Sequence, residues 1–123
     1  RVENKLNLEH MREAADLLTG THDFKSFCAN RHMKKSTVRT IYEIAIEEND
    51  GILSIRYHGD GFLYNMVRII TGTLLRVGGG MIAPEEIPDI LAAKDRGRAG
   101  ETAPPQGLRL VKIEYPEWEE KNR

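Results

Sequence analysis

Leu8, Met11, Ala15 and Leu18 recur at three- and four-residue spacing, which predicts an amphipathic helix from about Asn7, a residue type suited to capping, to Thr19, with Gly20 as its stop. Between Thr37 and Glu48 the pattern changes to that of a strand, with Val38, Ile41, Ile44 and Ile46 set among polar residues. Asn49-Asp50-Gly51 is a hairpin signal, and Ile52 to Tyr57 forms the returning strand. Gly59-Asp60-Gly61 breaks that strand and leads into Phe62–Val77, a segment so apolar around its circumference that a helix made from it must be mostly buried. Gly78, Gly79 and Gly80 mark its exit. Pro84 then takes a favoured first-turn position for a helix over Glu85–Lys94, with Ile87, Ile90 and Leu91 on its apolar face. A loop carrying Pro104-Pro105 and Gly107 leads to a last strand, Leu108–Tyr115, and the charged tail at 117–123 is expected to fray. The fold class these elements predict is α+β: one domain over residues 1–123, with an antiparallel sheet of three to four strands and the helices on one face.

The buried helix contains one residue that its composition does not explain. Arg68 is a permanent cation, and a buried ion pair that loses one member costs roughly 3–5 kcal/mol. The positions one turn away are Tyr64, Asn65, Thr71 and Gly72, none of them acidic. The partner of Arg68 is therefore expected from elsewhere in the fold or from another chain.

Composition narrows the class. With 123 residues, 40% hydrophobic and 30% charged, the chain reads as a globular domain, neither a disordered tail nor a membrane protein. The longest apolar stretch is interrupted by Asn65, Arg68, Thr71 and Gly72, and no secretory leader is expected. Cys28 is the only cysteine, so no internal disulfide can form, and a reducing, cytoplasmic compartment is expected. A formal net charge of -1 offers nucleic acid no overall attraction, yet Lys25, Arg31, Lys34, Lys35 and Arg39 follow one another with no acid between them. Arg31, Lys34, Lys35 and Arg39 are either a solvated loop and strand start or a set of phosphate contacts that neutralise a nucleic-acid backbone without reading bases.

Other motifs carry less. The glycines at 78–80 lack the spacing and the Lys-Ser/Thr ending of a P-loop, and Gly59-Asp60-Gly61 lacks the third glycine of a dinucleotide fingerprint. His10, His22, His32, His58 and Cys28 complete no standard metal pattern, so no metal is expected. Nothing in the sequence supplies a base to activate Cys28. Asp23, beside His22, is expected to cap the short turn holding Phe24 and Phe27.

Taken in order, Gly20-Thr-His-Asp-Phe-Lys-Ser-Phe27, Ser36-Thr-Val-Arg-Thr-Ile41, Gly61-Phe-Leu-Tyr-Asn-Met-Val-Arg-Ile-Ile-Thr-Gly72, Val77-Gly78, Ala92-Ala-Lys-Asp-Arg96, Thr102-Ala-Pro-Pro-Gln-Gly-Leu-Arg-Leu110 and Tyr115 resemble the C-terminal domain of TruA-type tRNA pseudouridine synthases. The likeness runs unbroken from about residue 20 to 116. It implies half of a pseudouridine synthase fold, with the open face of the sheet forming part of an RNA-binding and active-site cleft. The implied activity is conversion of uridine to pseudouridine at positions 38–40 of the tRNA anticodon arm, with no cofactor. In such enzymes an aspartate attacks at the glycosidic linkage after the nucleotide has been flipped from its stack. By this resemblance Arg68 is the partner of that aspartate, and Leu108 packs on the uracil; on its residue type alone, Leu108 is the first core residue of a strand.

The family's nucleophile lies in an Arg-Thr-Asp motif, and here Arg39-Thr40 is followed by Ile41. The matching tyrosine is also missing, since none of Tyr42, Tyr57, Tyr64 and Tyr115 has the right context. The resemblance thus implies a C-terminal fragment that is inactive alone and that works with tRNA and the N-terminal catalytic domain of the same protein, in a homodimer with no membrane attachment. The alternatives from other classes are a stand-alone RNA-binding module and a dimerisation domain without catalysis.

Overall fold

The helix expected after Asn7 forms at Leu8–Leu18 (α1), and the Asn7 side chain accepts a hydrogen bond from the His10 amide at 3.0 Å, satisfying one of the unpaired donors at the helix start. These features belong to a computed structural model, which describes residues 6–30, 32–49, 52–103 and the backbone of 111–114. The extended Thr19 closes α1, and Gly20, at a positive φ of 99°, opens a short strand, Gly20–Asp23 (β1), that the hydrophobic pattern did not announce. A 3-10 turn at Lys25–Phe27 follows, and Asp23 caps it by accepting from the Lys25 amide at 3.1 Å. Two long strands, Val38–Asn49 (β2) and Ile52–Gly59 (β3), then form the expected hairpin, with Asn49 paired to Ile52. The helix of Arg68 runs over Met66–Gly78 (α2). Pro84–Glu86 is a 3-10 turn that continues as Ile87–Ala93 (α3), and the chain returns in Val111–Glu114 (β4).

The sheet has the order β1-β2-β3-β4. Three strands are antiparallel neighbours, as expected of an α+β fold; the fourth differs, since β4 lies parallel to β3, with Ile55 opposite Val111. Parallel pairing requires a long crossover, and α2 and α3 lie within it. Residues 104–110 and 115–123, including the predicted strand start and the tail, lie outside the described residues.

A bulge between Ile41 and Glu43 sets which side of β2 is buried. The extra residue turns the period by one, so Ile41, Ile44 and Ile46 all face the core while Tyr42 points out, 54% exposed. Across the hairpin Ile44 pairs with Tyr57 and Ile46 with Ile55, and these four side chains make the floor on which the helices sit. Met11, Leu18, Met66, Ile69, Ile70 and Leu74 are fully buried above it. The ends of α1 and α2 are joined by Asn7 N–H donating to the Gly78 carbonyl at 2.9 Å. Arg12 ties α1 to the sheet through Nη2 donating to the Ile46 carbonyl at 2.7 Å.

Among the described residues Tyr57 is the ionisable group that is fully buried. Thr71 Oγ1 already donates its proton to the Val67 carbonyl at 2.8 Å, so in the 2.8 Å contact between the hydroxyls Tyr57 is the donor. Burial pushes the Tyr57 pKa well above its ordinary 10.0. A group raised in the folded state contributes stability that is complete below the unfolded pKa and is lost as pH rises beyond it. Above pH 10 the chain should therefore lose up to about 1.4 kcal/mol per pH unit through Tyr57 alone. Tyr57→Phe should cost about 1 kcal/mol at neutral pH through the lost hydrogen bond. Denaturant melts from pH 8 to 11 should show a shallower alkaline decline in the variant; an unchanged decline would refute the assignment.

Candidate functional site

The site begins at the entry to α2. Asn65 adopts a left-handed conformation, φ 59°, which asparagine tolerates better than most residues. The turn sends Tyr64 outward, 67% exposed, and leaves Asn65 one turn before Arg68. Arg68 itself is half-buried. Its Nε donates to the Ala103 carbonyl at 2.9 Å, and Nη1 makes a long 3.5 Å contact with Asn65 Oδ1. Among the described residues its acceptors are thus neutral, one of them 35 positions away. Among the described residues no carboxylate lies within ion-pair distance of the guanidinium.

The Ala103 carbonyl is held in place from several directions. Ala103 N–H donates back to the Arg68 carbonyl at 3.0 Å, so residue 103 and residue 68 grip each other twice. One turn further along α2, Gly72 gives the loop room, because a Cβ at that position would overlap the Glu101 carbonyl. Thr73 Oγ1 accepts from Gly100 N–H at 2.8 Å while donating to the Ile69 carbonyl. Arg96 closes the turn, with Nη1 to the Gly100 carbonyl at 2.9 Å and Nη2 to Thr102 Oγ1 at 3.1 Å. Gly72, Thr73 and Arg96 were not singled out in the sequence as positioning residues. The visible signal was the run of small residues Thr71-Gly72-Thr73 inside an otherwise bulky helix.

The predicted phosphate contacts are placed less uniformly. Lys34 and Lys35 are exposed on the loop before β2, whereas Arg39 is half-buried and donates from Nη1 to the Ser36 and Val38 carbonyls at 2.9 and 2.8 Å. The start of this loop meets the entry of α2, where Ala29 N–H donates to the Tyr64 carbonyl at 3.1 Å. Arg31 and Leu108 lie outside the described residues. Cys28 is buried, its thiol 3.5 Å from the Asn30 carbonyl, and the His22 ring contacts the Thr19 carbonyl at 2.8 Å. Among the described residues no helix is long and apolar enough to cross a membrane.

Among the described residues the half-buried Arg68 guanidinium is aimed by a braced carbonyl and meets no carboxylate. Comparison with known proteins gives that arrangement a family. Residues 14–116 match the family described as tRNA pseudouridine synthase. The chain is 56% identical over 110 residues to tRNA pseudouridine synthase A of Thermoanaerobacter sp. (strain X514), covering 89% of this chain and 45% of that protein. Against tRNA pseudouridine synthase A of Bacillus subtilis (strain 168) identity is 54% over 111 residues, 90% of this chain and 45% of the relative. For that of Acetivibrio thermocellus it is 49% over 114 residues, 93% and 47%. The chain spans about half the length of the curated relatives it matches. With most of its length matched at such identity, the chain belongs to the TruA family of tRNA pseudouridine synthases.

Proposed function

We propose that the protein carrying this chain isomerises uridine to pseudouridine at positions 38–40 of the tRNA anticodon arm, and that Arg68 is the cationic partner of its nucleophilic aspartate. The observation that carries this reading is the Arg68 guanidinium, half-buried with neutral acceptors only among the described residues. The aspartate is supplied by the N-terminal catalytic domain of the same protein, because none of the 123 residues stands in an Arg-Thr-Asp motif. Held beside Arg68, that carboxylate stays ionised and oriented for attack at the glycosidic carbon. The bond from N1 to the ribose breaks, the ring turns, and a bond from C5 to the same ribose carbon replaces it. N1 takes up a proton and C5 releases one, so the reaction balances without a second substrate. In this reading Leu108 packs against the uracil, and the protein works as a cytoplasmic homodimer.

Release of tritium from tRNA labelled at uracil C5 tests the proposal directly. The complete protein should release it, and the 123-residue chain alone should not. Turnover by the chain alone above a no-enzyme control would show that the nucleophile lies within these residues.

A further inference from the structure

Arg68 is not the only guanidinium in the fold whose acceptors are all neutral. Arg96, half-buried in the turn after α3, donates to the Gly100 carbonyl and the Thr102 hydroxyl, and among the described residues it meets no carboxylate. It stands between two open clefts of about 500 Å³ each, a size that admits a ligand and not merely water. Lys25 and Lys94 line one cleft with it, and Arg76 and Arg98 line the other.

The fold brings these residues together. Ser26 is fully buried, and its hydroxyl donates to the Ile90 carbonyl at 2.7 Å while accepting from Asp95 N–H at 2.8 Å. That pair of bonds fastens the 3-10 turn carrying Lys25 to the end of α3 carrying Lys94. Lys94 occupies a left-handed position, φ 51°, where glycine or asparagine is the usual residue. The acids that line the clefts are fewer than the cations. Asp95 accepts from Gly97 N–H, Glu101 pairs with Arg76 at 2.6 Å, and Asp23 is shared among the Lys25 amide, the Thr37 hydroxyl and Lys94 at 3.8 Å. Five cations against two carboxylates line the clefts, and the side chains of Lys25 and Arg98 are exposed with no partner among the described residues. A chain of net charge -1 has concentrated positive charge here and fixed its central member in place.

We propose that these two clefts hold successive stretches of the RNA sugar–phosphate backbone, with Arg96 as the fixed cation between them and Lys25 and Arg98 as the outer phosphate contacts. The proposal rests on the assignment of tRNA as substrate. It extends the RNA surface beyond the basic loop of Lys34 and Lys35 to a face built from three separate parts of the chain. Neutral acceptors orient Arg96 without neutralising it, which leaves its charge for an anion from outside.

Binding of an anticodon stem-loop RNA to this chain, followed by fluorescence anisotropy across 50–300 mM KCl, tests the assignment. Replacing both Lys25 and Arg98 by Ala should weaken binding about tenfold and reduce the log–log salt slope by about 1.5, the loss expected for two phosphate contacts. Substituting Lys34 and Lys35 by Ala is the comparison. If that change flattens the slope while the Lys25/Arg98 change does not, the loop carries the RNA and the clefts do not. Failure of the parent chain to bind at 50 mM KCl would equally overturn the proposal. So would poly-glutamate competing as strongly as RNA at equal charge, since the clefts would then suit an acidic protein surface. None of these outcomes bears on the reaction itself, which stands or falls on tritium release by the complete protein.

Discussion

Arg68→Met in the complete synthase is expected to lower the single-turnover rate by about two to three orders of magnitude while tRNA affinity changes little. Removing one member of a desolvated ion pair costs roughly 3–5 kcal/mol, and about 1.4 kcal/mol of barrier is a factor of ten. If Arg68 pairs with the nucleophilic aspartate as proposed, methionine fills a similar volume but leaves that carboxylate without its counter-charge, which raises its pKa and frees it to turn away from the ribose. The acid limb of the pH–rate profile should therefore move to higher pH. In the 123-residue chain the same substitution is expected to have a much smaller effect. There it removes one good hydrogen bond to the Ala103 carbonyl and a long contact to Asn65, about 1 kcal/mol in a denaturant melt. A loss of about 3 kcal/mol or more in the chain alone would mean that Arg68 has a buried anionic partner inside it. The carboxylate would then not come from another domain.

Gly72→Ala should destabilise the chain by about 3 kcal/mol, the upper part of the usual range for forcing atoms into a packed interior. The added methyl meets the Glu101 carbonyl, a backbone atom that cannot swing aside. The loop must lift, and the Ala103 carbonyl that aims Arg68 lifts with it. Turnover in the complete protein should thus fall further than the stability loss explains, even under conditions where the variant remains folded. Gly78→Ala provides the contrast. There the methyl would approach Met11 Sδ at 2.6 Å and Cγ at 2.9 Å, and an unbranched side chain can shift where a carbonyl cannot, so a smaller loss of about 1–2 kcal/mol is expected. Urea midpoints of the two variants measure the difference; a Gly72→Ala midpoint equal to that of the parent would mean that the 101–103 loop does not rest on α2.

Where a single stretch of chain contained the whole cause, the sequence was sufficient. Asn7 and the three- and four-residue spacing up to Leu18 specify α1, and the apolar circumference of 62–77 specifies that α2 is buried. The spacing of Ile41, Ile44 and Ile46, three residues and then two, even carries the bulge, although it reads at first as plain alternation. That Arg68 has no acid one turn away was readable because its helical neighbours are local. β1 was not recognisable, since Gly20-Thr21-His22-Asp23 has no apolar residue and is held by its backbone ladder and the Thr21–Thr40 hydroxyl contact at 2.7 Å. Val38, expected among the apolar strand positions, is 45% exposed beside it. The direction of β4 was equally hidden, because Val111-Lys112-Ile113-Glu114 alternates the same way in either sense and only the path of the crossover decides. The rest depended on tertiary contacts. Ala103 reaches Arg68 across 35 residues and Ser26 reaches Asp95 across 69, so the brace around Arg68 and the basic clefts around Arg96 exist only once the helices have packed on the sheet. Periodicity reports which face of an element avoids water, whereas the partner of a polar group is fixed by how those faces meet.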